Sequence, residues 1–353
     1  MKKLLVLLAA VAFVVAFTVP AMSADWNFYG SARMSTFFDS DSEEVDNKIA
    51  YDDDDLTWAL QGNSRLGATV KAGNIGGGFE YGTGVNVRKL YGTWNFGGGE
   101  LLVGQTYTPL NYFISNQVWG SDNDMLTYGG IYAGRRPMIQ LKTGGFKIAL
   151  IQPNTGAVTN FPAGGETDTS IPKIEASYGF NAGPLKLSLM AMYNTFDVVD
   201  AANNEEGVDS YVLGLGFKVP LGAAYVNGNV WMGQNTGNTT LATISFAANP
   251  ANDAAWDGAN IVDNDALGYL LVVGFKASDA LSFELGYGQV EHELDQTGED
   301  ADETSAMYAQ AVINIAKGFF VVPEVGKIDY KEDAAGNDQG DTTYFGAKWQ
   351  INF

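Results

Sequence analysis

Few residues in this chain could carry out chemistry on a bound substrate. There is one histidine, His292, within Glu291-His292-Glu293, and there is no cysteine. A hydrolase would have to rely on that histidine, and no Gly-x-Ser-x-Gly elbow accompanies it. One His without Cys also argues against a transition-metal site. His292 reads as a surface residue at the start of an external loop. The chemistry that remains is that of fixed charge. Arg33, Arg65 and Arg136 each fall in phase with polar neighbours: Arg65 with Gln61, Asn63 and Lys71, and Arg136 with Gln140 and Lys142. Arg88 and Lys89 are adjacent, so the period of a strand sends only one of them to that face. Phase with Tyr91, Thr93 and Asn95 favours Lys89.

The elements that would position these charges are strands. Trp26, Phe28, Gly30, Ala32, Met34 and Phe38 alternate with Asn27, Tyr29, Ser31, Arg33 and Ser35. Leu185, Leu187, Leu189, Ala191 and Tyr193 alternate with Lys186, Ser188 and Asn194, and the same dyad runs through Leu267–Phe275 and Leu281–Tyr287. It closes the chain: Phe345, Ala347, Trp349, Ile351 and Phe353 oppose Gly346, Lys348, Gln350 and Asn352. One face suits lipid and the other a watery lumen. A cation at the lipid midplane costs roughly 2–4 kcal/mol, which assigns the arginines to the lumen.

Residues 1–24 have the form of a secretory signal: Met1-Lys2-Lys3, an apolar run from Leu4 to Val19, then Pro20 and Ala21-Met22-Ser23-Ala24. Cleavage falls after Ser23 or after Ala24. The apolar run is short for a bilayer core, and no later segment approaches eighteen consecutive apolar residues. Insertion in a membrane must then be as a closed barrel, because only helices and barrels satisfy their backbone groups in lipid. The mature chain, 25–353, has 18 basic against 41 acidic residues, a formal charge of −23. That sign excludes nucleic acid as a partner. With no cysteine, the exported fold gains nothing from disulfides.

Loop lengths segregate. Seven short turns lie at 73–77, 97–99, 143–145, 181–184, 220–222, 278–280 and 317–318. Between them lie eight longer or more polar connections, at 40–55, 83–86, 108–132, 153–170, 198–208, 235–262, 292–303 and 331–340. Fifteen connections join sixteen strands and leave both termini on the short-turn side, as in outer-membrane barrels. Sixteen strands leave an aqueous channel. The connection at 108–132 differs from the rest: Pro109, Tyr112, Phe113, Ile114, Trp119 and Tyr128 stand beside Asp122 and Asp124. So many aromatics need protein to pack against. Acids crowd the first loop (Asp39, Asp41, Glu43, Glu44, Asp52 to Asp55) and the seventh (Glu299, Asp300, Asp302, Glu303). They read as solvated tips, with weak capture of divalent cations as the functional alternative. Asp39-Ser40-Asp41-Ser42-Glu43 begins like a calcium loop but lacks its glycine and distal Glu.

Val87-Arg88-Lys89-Leu90-Tyr91-Gly92-Thr93-Trp94, Gly97 to Leu102 and Gly104-Gln105-Thr106-Tyr107-Thr108-Pro109-Leu110 resemble the fourth and fifth strands of the general porins of Gram-negative outer membranes, leading into their third loop. The resemblance covers the whole mature length. It implies an all-β, transmembrane antiparallel barrel with short periplasmic turns and long external loops, the third loop folded into the lumen. It implies a homotrimer and a water-filled channel for passive diffusion of small hydrophilic solutes and ions, with no enzyme activity and no cofactor. By position, Asp122 and Asp124 become the acidic rim of a constriction facing Arg33, Arg65, Arg136 and one of Arg88 or Lys89. The family pattern favours Arg88. Phe353 resembles the family's terminal assembly signal, presented to the barrel assembly machinery. A non-conducting structural or adhesive barrel would share the fold but need no constriction.

Overall fold

The structure, a computed structural model, describes residues 24–45, 54–162, 166–200, 205–244, 252–296, 300–333 and 335–353. The expected signal peptide therefore lies outside the described residues, apart from Ala24. So do Asp52, Asp53 and Glu299.

Sixteen antiparallel strands close on themselves. They are β1 (Asp25–Asp41), β2 in two pieces (Asp54–Leu60 and Arg65–Ala72), β3 (Ile75–Gly82), β4 (Val87–Asn95), β5 (Glu100–Tyr107), β6 (Arg135–Thr143), β7 (Phe146–Ile151) and β8 in two pieces (Glu166–Asp168 and Lys173–Ala182). The tour continues through β9 (Leu185–Val199), β10 (Glu205–Leu221), β11 (Ala224–Gln234), β12 (Asn264–Lys276), β13 (Leu281–Leu294), β14 (Asp302–Ala316), β15 (Phe319–Asp329) and β16 (Asp341–Asn352). Each pairs with the next, and β16 returns to β1 in the register Ser31 with Asn352 through Asp41 with Thr342. The seven short turns fall where the alternation breaks, although Gly76 and Gly77 already belong to β3. Several strands run further out than expected, so Asp39, Asp41, Asp302 and Glu303 are strand residues and not loop tips.

The outer face is apolar: Trp26, Phe28, Leu189, Leu213, Leu271, Phe275, Leu285, Phe345 and Ile351 are all exposed. Strands β9 to β16 run 11 to 17 residues, whereas β3 to β7 run 6 to 9. The wall is tall on one side and low on the other.

Closure is completed at the last residue. Phe353 N–H donates to Gly30 O at 3.1 Å and accepts from Gly30 N–H at 2.8 Å. The phenyl ring lies over Gly30, where an added Cβ would meet it at 2.5 Å. Deleting Phe353 removes both hydrogen bonds, roughly 1 kcal/mol each, at the seam where the sheet has no other partner. The expected outcome is a lower yield of folded, heat-modifiable barrel on gel electrophoresis; unchanged yield would show that the seam does not need this residue.

Candidate functional site: a charged constriction inside the barrel

The segment 108–134 lies inside the barrel. Its backbone needs partners that strands cannot supply, and three wall carboxylates supply them. Glu175 on β8 accepts from Leu110 N–H at 2.9 Å. Glu284 on β13 accepts from the Asn116 N–H at 2.8 Å and from its side-chain amide at 2.7 Å. Glu324 on β15 accepts from Val118 N–H at 2.7 Å and from Trp119 N–H at 3.0 Å. The Tyr308 hydroxyl donates to Glu284 at 2.6 Å, and the Tyr225 hydroxyl donates to it too. On the carbonyl side, Asn229 and Trp231 donate to Gly129 O at 2.7 and 3.1 Å, and Lys218 donates to Phe113 O at 2.7 Å. Nothing in the sequence singled out the three glutamates except their place in the inward phase.

Apolar packing completes the fit. Leu110, Val118, Met125 and Ile131 are buried, and Leu270 and Val272 of β12 present a dry lumen face to the loop. The uninterrupted run Leu270-Leu271-Val272-Val273 was the available signal, since a strand apolar on both faces is buried on both. Trp119 stacks on Tyr344 with ring centroids 4.7 Å apart and donates its indole N–H to Asp39 at 2.6 Å. Gly129, at φ +85°, approaches the wall so closely that a Cβ would sit 2.0 Å from Tyr269 O. Part of a second insertion, 241–244, also turns inward: Ala242 N–H donates to Tyr132 O at 2.8 Å and Ile244 N–H to Thr127 O at 3.2 Å. Leu241 and Ile244, set among Thr, Asn and Ser, were the local signal for this.

The loop tip bears the charge. Ser121, Asp122, Asp124 and Met125 all hold left-handed backbone, a strained conformation for residues with side chains. Asp122 accepts from the Arg33 guanidinium and, at 2.9 Å, from Asn63, while Lys348 Nζ stands 2.9 Å from its other oxygen. Arg33 and Lys348 thus both meet Asp122, and Lys348 was not among the residues singled out from the sequence. Arg65, Arg88 and Lys89 do not reach Asp122. They gather on Glu80 of β3, at 3.9, 2.8 and 3.5 Å, and Tyr29 donates to the same carboxylate at 3.0 Å. The expected choice between Arg88 and Lys89 does not arise. The register shifts opposite Glu80 and Tyr81, and this bulge lets two adjacent residues meet one partner. Arg136 is exposed in the inward phase, opposite Thr106, and makes no ion pair among the described residues.

Asp124 departs from expectation. It is half-buried behind Asp122 and makes no ion pair among the described residues. Burial, then the neighbouring Asp122 charge, pushes its carboxyl well above the usual range. His292 is corrected as well: it lies on β13, 2% exposed, opposite Asp302 in the ladder, and is not a surface residue. Because the loop fills the side of β8 to β16, the passage runs beside β1 to β6. There a cavity of about 820 Å³, lined by Asn27, Thr69, Lys71, Tyr91, Thr93 and Thr106, opens toward the short-turn end.

The sequence profile of the Gram-negative porin family matches residues 9–335. The chain belongs to that family. This porin is an outer-membrane β-barrel whose lumen serves passive diffusion, and neither the family nor the fold favours an enzyme or a non-conducting barrel. Its fold is similar to that of the outer membrane channel DcaP of Acinetobacter baumannii, at 19% identity and a TM-score of 0.73, covering 94% of this chain and 97% of that one. An anion-selective porin from Comamonas acidovorans matches at 14% identity and a TM-score of 0.59, covering 94% and 100%. The trimer form of OmpT of Vibrio cholerae matches at 14% identity and a TM-score of 0.60, covering 94% and 99%. No curated protein sequence matches the chain. Among the described residues, no group of three or more carboxylates converges as a metal site would.

The two aspartates should separate in experiment. Asp122→Asn should shift the zero-current potential under a salt gradient toward anions, and Asp124→Asn should leave it nearly unchanged. Because the folded pKa of Asp124 is raised, its contribution to stability is complete below the ordinary 3.8 and is lost as pH rises through the folded value. Asp124→Asn should therefore raise the melting temperature at neutral pH and have little effect near pH 3, as read by thermal unfolding in detergent.

The glutamate latches carry a separate expectation. Glu284→Gln with Glu324→Gln weakens charge-assisted hydrogen bonds worth roughly 1.5–3 kcal/mol each. Single channels of this double variant should show larger conductance or more frequent current steps, and unaltered traces would mean that packing alone holds the loop.

Proposed function

We propose that this porin favours small anionic solutes over cationic ones, despite its net negative charge. The observation that carries the reading is the imbalance at the constriction. Among the described residues, Arg33, Arg65, Arg88, Lys89 and Lys348 form their ion pairs with Asp122 and Glu80 alone, and Arg136 forms none. Charge in a narrow passage with low-dielectric walls sets the local ion concentration, whereas charge beyond a Debye length of about 8–10 Å is screened. The acids of the outer loops act weakly on the eyelet for that reason. The carboxylates that remain create a transverse field between loop and wall, which orders water and disfavours apolar solutes. The anion selectivity of the Comamonas relative agrees in direction.

The reading includes assembly as a homotrimer in outer-membrane lipid. A strand needs about 9–11 residues to cross a bilayer, and β3 to β7 have 6 to 9. Their outer face nevertheless carries exposed Leu90, Trp94, Val103 and Ile139. A low apolar wall is served better by neighbouring protein than by lipid. The Vibrio OmpT relative has a trimer form. Phe353 serves in this reading as the signal for the barrel assembly machinery, supported by its place at the exposed end of the closing strand.

Reversal potentials in planar bilayers test the selectivity. The parent channel should prefer chloride over potassium. Arg65→Gln with Arg136→Gln should reduce that preference by roughly two- to tenfold at low salt and by less at 1 M, where screening is strong. A parent channel that prefers potassium would overturn the reading.

A further inference from the structure

Away from the constriction, the lumen wall carries two pairs of like charge. Lys142 on β6 stands directly opposite Lys147 on β7, and Lys186 on β9 directly opposite Lys218 on β10. All four lie in the inward phase. Ile139, Leu141, Phe146 and Leu150 point to lipid from β6 and β7, and Leu189 and Leu213 do so from β9 and β10. Each lysine lies in its partner's field. None of the four makes an ion pair among the described residues, although the chain has twice as many acids as bases. Both pairs sit next to short turns, on the periplasmic side of the constriction.

Like charges directly opposite in a sheet destabilise it, with Cβ atoms only about 4.5–5.5 Å apart. A structural role would have placed a carboxylate there. The acids that do lie nearby are Glu100, which stands across from Lys142 without reaching ion-pair distance, and Glu175, which is held by Lys173 and Leu110. The remaining cross-strand neighbours, Ser177, Asn181 and Asn227, are neutral. Two ammonium groups facing each other across one ladder rung match an anion with several oxygens and more than one negative charge, which can bridge both and relieve their repulsion. We propose that these cross-strand lysine pairs form low-affinity docking sites for small polyvalent oxyanions on the periplasmic side of the eyelet. The proposal rests on the anion-favouring reading for the kind of solute that arrives, but it stands on separate residues. Water-filled surroundings keep the affinity low, so a bound oxyanion leaves readily and conduction continues.

Lys218 also holds Phe113 O, so it is left in place in the test. Inorganic sulfate is the probe, added to one face at a time against a constant chloride current at fixed ionic strength, with an external-loop tag marking the faces. Sulfate from the periplasmic face should reduce the parent current at roughly tenfold lower concentration than from the external face, an effect of the order of one surface charge interaction at close range. Lys142→Gln/Lys147→Gln/Lys186→Gln should erase the difference between faces, and the corresponding Lys→Arg variant should keep it. Heat-modifiability confirms that each variant forms the barrel. A parent channel without a side difference, or one whose difference survives the Gln substitutions, overturns the proposal. Reversal potentials from the same membranes judge the eyelet separately: potassium preference with side-dependent sulfate block intact rejects the eyelet reading and upholds the docking sites.

Discussion

Everything in this molecule depends on the closing of one hydrogen-bonded sheet. In lipid an unpaired backbone group costs several kcal/mol, so a sheet with an open edge cannot span. The chain meets that constraint by running β1 the length of three partners: the two pieces of β2 on one side and β16 on the other. Closure makes the two faces of every strand unequivalent, and the dyad of apolar and polar residues follows from it. It also makes a lumen in which polar groups can be placed without exposure to hydrocarbon.

That lumen is less watery than a simple two-face pattern implies. Between β8 and β16 it is filled by residues 108–134 and 241–244, and buried carboxylates serve there as acceptors for loop backbone and not as pore charges. Glu284 gathers the Asn116 N–H, two tyrosine hydroxyls and Gln310. A network so fully connected is rigid, and it can hold a strained tip at Ser121 to Met125 in a single place. The conducting path is pushed against β1 to β6 by this filling. Rigidity of the loop and position of the eyelet are therefore one structural fact.

Charge is distributed by the same logic. The acids outnumber the bases over the chain, yet the eyelet is mostly basic, and Asp122 and Glu80 are each shared by more than one cation. Total charge governs solubility in transit, and the few residues within a Debye length of the solute govern passage. The two quantities have opposite sign here.

The fold was legible because its determinants are local and periodic. Alternation over strands such as Leu267 to Phe275, the seven short turns, and the aromatic end at Phe353 each follow from a single strand facing lipid on one side and lumen on the other. The inward phase of Arg33, Arg65 and Arg136 follows from the same period, and the inward loop from its many aromatics, which need protein to pack against. What partners these charges take was decided only by the tertiary structure. Asp122 meets Lys348 some two hundred residues away because closure brings β16 beside β1. Arg88 and Lys89 share Glu80 because a bulge breaks the strand period on which the choice between them rested. Asp124 leaves the rim and His292 is buried because loop backbone and strand length, set by packing across the lumen, leave no trace in nearby sequence. The period of a strand determines which way a side chain points; the cross-lumen distances that decide its partner exist only once the barrel is closed.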